Sequence, residues 1–281
     1  MAEKKIDYLQ YTASEIPEFL GAYSYLGSSP LPFYKQCYEF DCGARVFLGN
    51  ANSDKYLVQQ SGQSCERWDM TAYPNRLKAV IQEGGKFSRL DIAVTVSGIE
   101  HLNQFREAVR KNLVVSQRFG QDEPKIISNG TGEVETVYLG DLRKRAKKGV
   151  FRAYDKGKEQ GLLEKYSRFE LEIRGSAANV AAKRFLVGID MGDLIRFVVD
   201  IPSQQWWADL LGEKSENLPR MLGEVKRDPI ARRWHWLNKQ VAPALGKLMA
   251  HDVKNDGANH QIFYEIVERH LAKALNLDTD E

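Results

Sequence analysis

Residues 168–175 read R-F-E-L-E-I-R-G, and this strict alternation narrows the fold more than any other feature of the chain. Phe169, Leu171 and Ile173 fall on one side of a strand, and Arg168, Glu170, Glu172 and Arg174 on the other. A row of four charged side chains is tolerable only where that face meets solvent or a polar ligand, because an unpaired buried charge is strongly unfavourable. The strand therefore belongs to a sheet with one dry face and one face that is either wet or a site. Upstream, residues 134–140 (V-E-T-V-Y-L-G) and 149–155 (G-V-F-R-A-Y-D) supply two more short strands. In the second of these, Val150, Arg152 and Tyr154 share a face opposite Phe151 and Ala153.

Between Asp141 and Lys158 lie eight basic residues, Arg143, Lys144, Arg145, Lys147, Lys148, Arg152, Lys156 and Lys158, with Asp141 and Asp155 as the acidic residues of the stretch. The whole chain carries a formal charge of only +2, so nucleic-acid binding must come from a local patch of this kind. Such a patch beside a tyrosine and paired carboxylates points to a polyanion held by cations while a metal and a hydroxyl act on it. Taken alone, the run reads equally well as a solvated loop.

The remaining chain fits one large domain or two smaller ones, since 281 residues with 43% apolar content can fill a real core. Three cysteines, Cys37, Cys42 and Cys65, form no C-x-x-C pair, which argues against a disulfide framework or a zinc site and for a reducing cytoplasm. The first residues lack a signal-peptide apolar core and no stretch of eighteen apolar residues occurs, so no membrane span is expected. A helix is expected over residues 13–23, capped by Ser14, followed by a strand meander over residues 33–60 and a helix over 73–83. In F-S-R-L-D-I-A-V-T-V, Leu90, Ile92, Val94 and Val96 alternate with Arg89, Asp91, Ala93 and Thr95. Asp91 is out of place in so apolar a strand, and it either pairs with Arg89 on the same face or ligates metal. A helix over 99–112, a polar loop over 121–132, a helix over 176–186 and a short apolar element over 193–201 follow. Beyond that the pattern is mostly helical, with helices expected over 228–250 and 259–275. Trp206, Trp207, Trp234 and Trp236 are either core or base-stacking groups. The histidines form no metal motif and there is no glycine-rich phosphate loop.

In order, S-G-Q-S-C (61–65), R-L-D-I-A-V (89–94), Y-L-G…F-R-A-Y-D-K-G-K-E-Q (138–160) and R-F-E-L-E-I-R-G (168–175) resemble the Rep_trans family. That family comprises rolling-circle replication initiators of plasmids and filamentous phages, and relaxases of some conjugative elements. Q-V-A-P-A-L (240–245) resembles a weaker C-terminal signature. The resemblance implies an α+β fold related to the HUH endonucleases, an antiparallel sheet flanked by helices. Residues 1–200 would be the nicking and closing domain and 201–281 a helical region for DNA binding or dimerisation. It implies a sequence-specific DNA nickase whose tyrosine keeps the 5′ phosphate and frees a 3′ hydroxyl primer. Tyr154 occupies the tyrosine position of the Y-D-K motif and is favoured over Tyr138, which has no adjacent charge, and over Tyr166. Lys156 would lower its pKa or screen the scissile phosphate. The two histidines of the wider superfamily are absent, so metal ligation falls to Asp91, Glu170 and Glu172, whose hard oxygens favour magnesium or manganese. Arg143, Lys144, Arg145, Lys147, Lys148 and Arg152 would contact DNA phosphates. Implied partners are double-stranded origin DNA, the single-stranded nick site, a host helicase and a second copy of the chain. The alternatives are a conjugative relaxase, a metal-dependent hydrolytic nuclease and a DNA-binding module without chemistry.

Overall fold

The computed structural model describes residues 2–50, 53–66, 73–116, 119, 124–128, 135–202 and 204–212. Its strands in chain order are β1 (Glu3–Ala13), β2 (Tyr23–Ser28), β3 (Gln36–Phe40), β4 (Arg45–Leu48), β5 (Tyr56–Gln60), β6 (Lys86–Ser97), β7 (Val115–Ser116), β8 (Lys125–Ser128), β9 (Glu135–Leu139), β10 (Gly149–Asp155), β11 (Tyr166–Arg174) and β12 (Val199–Asp200). The helices are α1 (Gly62–Glu66), α2 (Tyr73–Gln82), α3 (Glu100–Arg110), α4 (Arg145–Lys148), α5 (Lys156–Glu159), α6 (Ser176–Phe185), α7 (Met191–Val198) and α8 (Gln205–Leu211).

Ten strands make one sheet in the order β2-β3-β4-β5-β1-β6-β11-β10-β9-β8, with every paired neighbour antiparallel. Two meanders, β2 to β5 and β8 to β11, meet at the central pair β1 and β6. One face of the central strands is apolar: Leu90, Ile92 and Val94 of β6, Phe169, Leu171 and Ile173 of β11, and Phe151 and Ala153 of β10 are all buried. Against this face α3 sets Phe105, whose ring lies 5.5 Å from Phe151, 5.6 Å from Phe169 and 5.5 Å from Trp207 of α8. Truncating a ring so enclosed typically costs about 3–5 kcal/mol. At the other end of β10, Gly149 has φ +80°, and a Cβ there would sit 1.9 Å from the Glu172 carbonyl oxygen. Glycine alone lets β10 start this close to β11.

The expected meander, the helix at residues 73–83, the alternating strand around Asp91, the helix at 99–112 and the helix after Gly175 are all present as β3 to β5, α2, β6, α3 and α6. The helix expected over 13–23 is not. β1 runs to Ala13, a single 3-10 turn occupies Glu18–Leu20, and β2 begins at Tyr23. Strand pairing claims both ends of the segment, Ala13 opposite Tyr56 and Tyr23 opposite Phe40, and leaves only residues 14–22 as the connection between them. Within the expected polar loop at 121–132, Lys125–Ser128 pairs with β9 as the exposed edge strand β8. The short apolar element after residue 190 is helix α7, capped by the Asp190 carboxylate accepting from the Gly192 N–H, and then β12. Trp207 is fully buried, so the core role wins for that residue. The chain divides into two compact units, Met1–Gly223 and Glu224–Glu281, and α8 packs with the first. The helices expected at 228–250 and 259–275, Trp234, Trp236 and the 240–245 signature lie outside the described residues. Among the described residues, no helix is long and apolar enough to cross a membrane, and the three cysteines are free thiols.

Candidate active site

The second face of the central sheet carries the charges, and its carboxylates are buried. Asp91, Glu170 and Glu172 are each 1% exposed and Arg168 is 2% exposed. The expectation of a row facing solvent does not hold, because these charges are buried among opposite charges that neutralise one another. Register supplies only part of the pairing. In β11, Glu172 lies opposite Asp91 of β6 on one side and Val150 of β10 on the other, while Glu170 lies opposite Arg152 and Arg168 opposite Tyr154.

Arg89 forks onto Asp91, its Nε 2.9 Å from Oδ1, and also places Nη2 3.1 Å from Glu172 Oε2. The same Glu172 oxygen accepts from Arg145 Nη2 at 2.7 Å, and Oε1 accepts from Arg174 Nε at 2.6 Å. Glu170 accepts from Arg152 Nη2 at 2.6 Å through Oε1 and from the Tyr154 hydroxyl at 3.0 Å through Oε2. Arg168 reaches Thr95 Oγ1 at 3.1 Å and Asp7 Oδ1 at 2.6 Å. Asp7 is available because β1 shifts register between Ile6 and Tyr8, an irregularity that leaves it outside the regular pairing. Among the described residues, five guanidinium groups (Arg89, Arg145, Arg152, Arg168, Arg174) thus face four carboxylates (Asp7, Asp91, Glu170, Glu172).

Titration behaviour follows from this arrangement. Burial pushes the Asp91 carboxyl up to about 7; Arg89 opposes the rise, and the charges of Glu170 and Glu172 add to it. Burial would raise Glu172 as well, but hydrogen bonds from Arg145 and Arg174 and the charge of Arg89 outweigh it and hold that carboxyl below its ordinary value. Burial raises the Tyr154 phenol well above the usual tyrosine range, the negative charge of Glu170 adds to this, and Arg168 and Arg152 only partly offset it. The expected lowering by Lys156 is not what the geometry gives. Lys156 Nζ pairs with Glu159 within α5, and Tyr154 donates to Glu170.

The residues expected to meet DNA divide into two groups. Arg143, Lys144 and Lys148 are exposed, with Arg143 and Lys144 also lying 3.1 Å and 3.2 Å from the Asp141 carboxylate. Arg145 and Arg152 turn inward to Glu172 and Glu170. The side chain of Lys147 lies outside the described residues. Tyr138 is not isolated from charge: β9 and β10 pair it directly with Arg152. Sequence reasoning missed Asp7 and Tyr8. Tyr8 lies opposite Asp91, and its ring carries the Arg89 guanidinium 4.0 Å from its centroid. The two-residue alternation that marks the other strands is broken here, with buried Ile6 and Leu9 three residues apart, so the sequence offered no clear signal for either residue.

The donor chemistry of Asp91, Glu170 and Glu172 suits a hard divalent cation, since all three are carboxylates and Asp91 feels the repulsion of the other two. Their oxygens point at guanidinium N–H groups and at Tyr154, and no preformed metal cage exists among the described residues. A cation bound there would have to displace arginine partners.

Residues 85–262 match the Rep_trans family, described as replication initiation factor. The fold is similar to that of a rolling-circle replication initiator protein from Geobacillus stearothermophilus, with a TM-score of 0.59 and 19% sequence identity over 75% of this chain and 96% of that one. No curated protein matches the chain. The family match spans well over half of the sequence and includes the entire charged face of β6, β10 and β11, so the chain belongs to the Rep_trans family of replication initiation factors.

Proposed function

We propose that this protein initiates rolling-circle replication by nicking and rejoining one DNA strand at an origin, with Tyr154 as the nucleophile. The observation that carries the reading is the 3.0 Å hydrogen bond from the Tyr154 hydroxyl to Glu170 Oε2, made beside Arg152 and Arg168. A phenol with a raised pKa is protonated at rest, so its proton must leave as the oxygen attacks phosphorus, and Glu170 stands where it accepts that proton. The Oη–P bond forms, the P–O3′ bond breaks, and the 3′ oxygen leaves as a hydroxyl by taking a proton from water while Glu170 returns its own to solvent. The 5′ phosphate stays on the tyrosine, and attack by a DNA 3′ hydroxyl reverses the step. Asp91, Glu170 and Glu172 are the residues that would hold magnesium or manganese, which offsets charge on the non-bridging oxygens and the leaving oxygen. Arg143, Lys144, Lys147 and Lys148 supply phosphate contacts, whereas Arg145 and Arg152 act first as carboxylate partners.

Residues 201–281 serve DNA binding or dimerisation in this reading, and a host helicase and a cytoplasmic setting belong to the same proposal. A conjugative relaxase would use the same chemistry on a transfer origin. The 4% exposure of Tyr154 favours one rival, a DNA-binding protein without chemistry. Supercoiled origin DNA, manganese or magnesium, and wild-type protein beside Tyr154→Phe decide between them. A covalent adduct mapping to Tyr154 and lost in the variant supports the proposal. Phosphate on Tyr8, Tyr138 or Tyr166 removes Tyr154 from the role, nicking without an adduct indicates a hydrolytic nuclease, and binding without nicking indicates the binding protein.

A further inference from the structure

A cavity of about 310 Å³ opens beside Tyr154, lined by Thr136 and Tyr138 of β9, Arg152 and Tyr154 of β10, and Lys158 and Glu159 of α5. Ligand pockets run from roughly 300 to 1,000 Å³, so this one suits a single flat group and not a run of nucleotides. Its walls are unlike a phosphate cradle. Acidic Glu159 stands with basic Arg152 and Lys158, and Tyr138 adds an aromatic ring. Asp155 completes the lining, but its carboxylate is already taken by the N–H groups of Lys158 and Tyr166. Register fixes the geometry: Tyr138 pairs with Arg152, and Arg152 is held by Glu170 with its guanidinium 5.1 Å from the Tyr154 ring centroid. An aromatic face, a fixed guanidinium and hydrogen-bonding groups of both polarities are what an unstacked nucleobase requires.

We infer that this cavity takes one unpaired DNA base next to the scissile phosphate, stacked on Tyr138 and contacted at its edge by Arg152. Tyr138 is then a positioning residue that sets which linkage reaches Tyr154. The inference rests on the reading of Tyr154 as the nucleophile, and its test separates the two.

Single-stranded oligonucleotides spanning the nick site, each with one 2-aminopurine, are bound to the Tyr154→Phe protein, which the nucleophile reading expects to hold DNA without cutting it. Fluorescence at one position adjacent to the nick should be quenched, and the quench should disappear when Tyr138→Leu is added and return with Tyr138→Phe. In cleavage by the otherwise wild-type protein, an abasic site at that position should lower kcat/KM by about 5- to 150-fold, the range for one stacked base. Tyr138→Leu should lose a similar factor on intact DNA and become insensitive to the abasic site. Multiplicative losses from the two changes, or sensitivity to a neutral methylphosphonate but not to an abasic site, would overturn the inference. The aminopurine signal requires no cleavage, so a protein that never forms an adduct refutes the nucleophile reading while leaving base capture measured. Thermal unfolding of the Leu and Phe variants confirms that both are folded, and uniform quenching at all positions counts against the pocket even without them.

Discussion

Replacing Glu170 tests the charged face most directly, because this one side chain holds both Arg152 and the Tyr154 hydroxyl. Glu170→Ala leaves a guanidinium and a phenol without their acceptor in a site where Glu170 is 1% exposed. Breaking a buried ion pair from one side costs about 3–5 kcal/mol. Arg152 is 25% exposed in its side chain and can recover some water, which puts the expected loss near the lower end, about 3 kcal/mol. For a unit of this size each kcal/mol lowers Tm by roughly 2–4 °C, so Glu170→Ala should melt about 6–12 °C below wild type. Glu170→Gln keeps an acceptor and loses the charge, and should cost about 1–2 kcal/mol, the difference between charge-assisted and neutral hydrogen bonds. The two variants also separate stability from chemistry. If Glu170 takes the tyrosyl proton, Glu170→Gln should slow adduct formation by about 10²–10⁴ at neutral pH while DNA binding persists. A purely metal-holding role would instead let excess manganese restore the rate. Calorimetric melting and trapped-adduct kinetics read the two effects. A Glu170→Ala protein melting within about 2 °C of wild type would refute the claim that this carboxylate anchors the network.

Asp91 should give stability an unusual pH dependence. Its carboxyl is raised from an ordinary value near 4 to about 7 in the fold, so the folded state binds the extra proton between those values. The associated stability is complete below about pH 4 and is lost as pH rises through 7. Asp91→Asn should therefore gain on wild type by about 2–3 kcal/mol between pH 5 and pH 8, read from denaturant midpoints, and a constant difference would contradict the burial argument. Neutralising Arg143, Lys144, Lys147 and Lys148 together should weaken binding to all DNA sequences and flatten the salt dependence, by roughly 0.9 in log–log slope for each phosphate that is no longer neutralised. An unchanged slope would show a solvated loop. Gly149→Ala should destabilise by at least about 1–2 kcal/mol from its positive φ alone, with more from the approach to the Glu172 carbonyl, and a neutral result in chemical denaturation would count against that close approach.

What the sequence disclosed depended on how local each signal was. The alternation put Glu170 and Glu172 on one face of their strand and Asp91 on the same face of its own as Arg89, and the structure puts Glu172 directly opposite Asp91. Arg89 was legible as an Asp91 partner from spacing alone, being two residues away on the same face. The partners of Glu172 and Glu170 were not, because Arg145 is 27 residues from Glu172 and Arg152 is 18 residues from Glu170. Both arginines read as part of a basic run. The N-terminal strand was hidden for a related reason: its place between β5 and β6 depends on partners distant in the sequence, Gln60 opposite Leu9 on one side and Ile92 opposite Ile6 on the other, and nothing in I-D-Y-L-Q announces them. The register irregularity at Asp7 has no local signature at all.

The division of the basic run bears on how DNA meets the site. A face on which five guanidinium groups oppose four carboxylates is nearly neutral, and a nearly neutral face exerts little long-range pull on a polyanion. In the proposed reading, exposed cations of the 143–148 segment such as Arg143, Lys144 and Lys148 supply that attraction. That segment is short, built of one 3-10 turn and the four residues of α4, and it is tied to the sheet by the Arg145 to Glu172 ion pair at 2.7 Å. Its position is thus set by the same carboxylate that lies opposite Asp91. Loosening Glu172 should shift the phosphate-contacting cations relative to Tyr154, so a Glu172→Gln protein should lose affinity for DNA as well as cleavage, whereas Asp91→Asn should leave affinity close to wild type. Equal affinity in both variants, measured at one salt concentration by fluorescence anisotropy, would mean that the basic segment holds its place without Glu172.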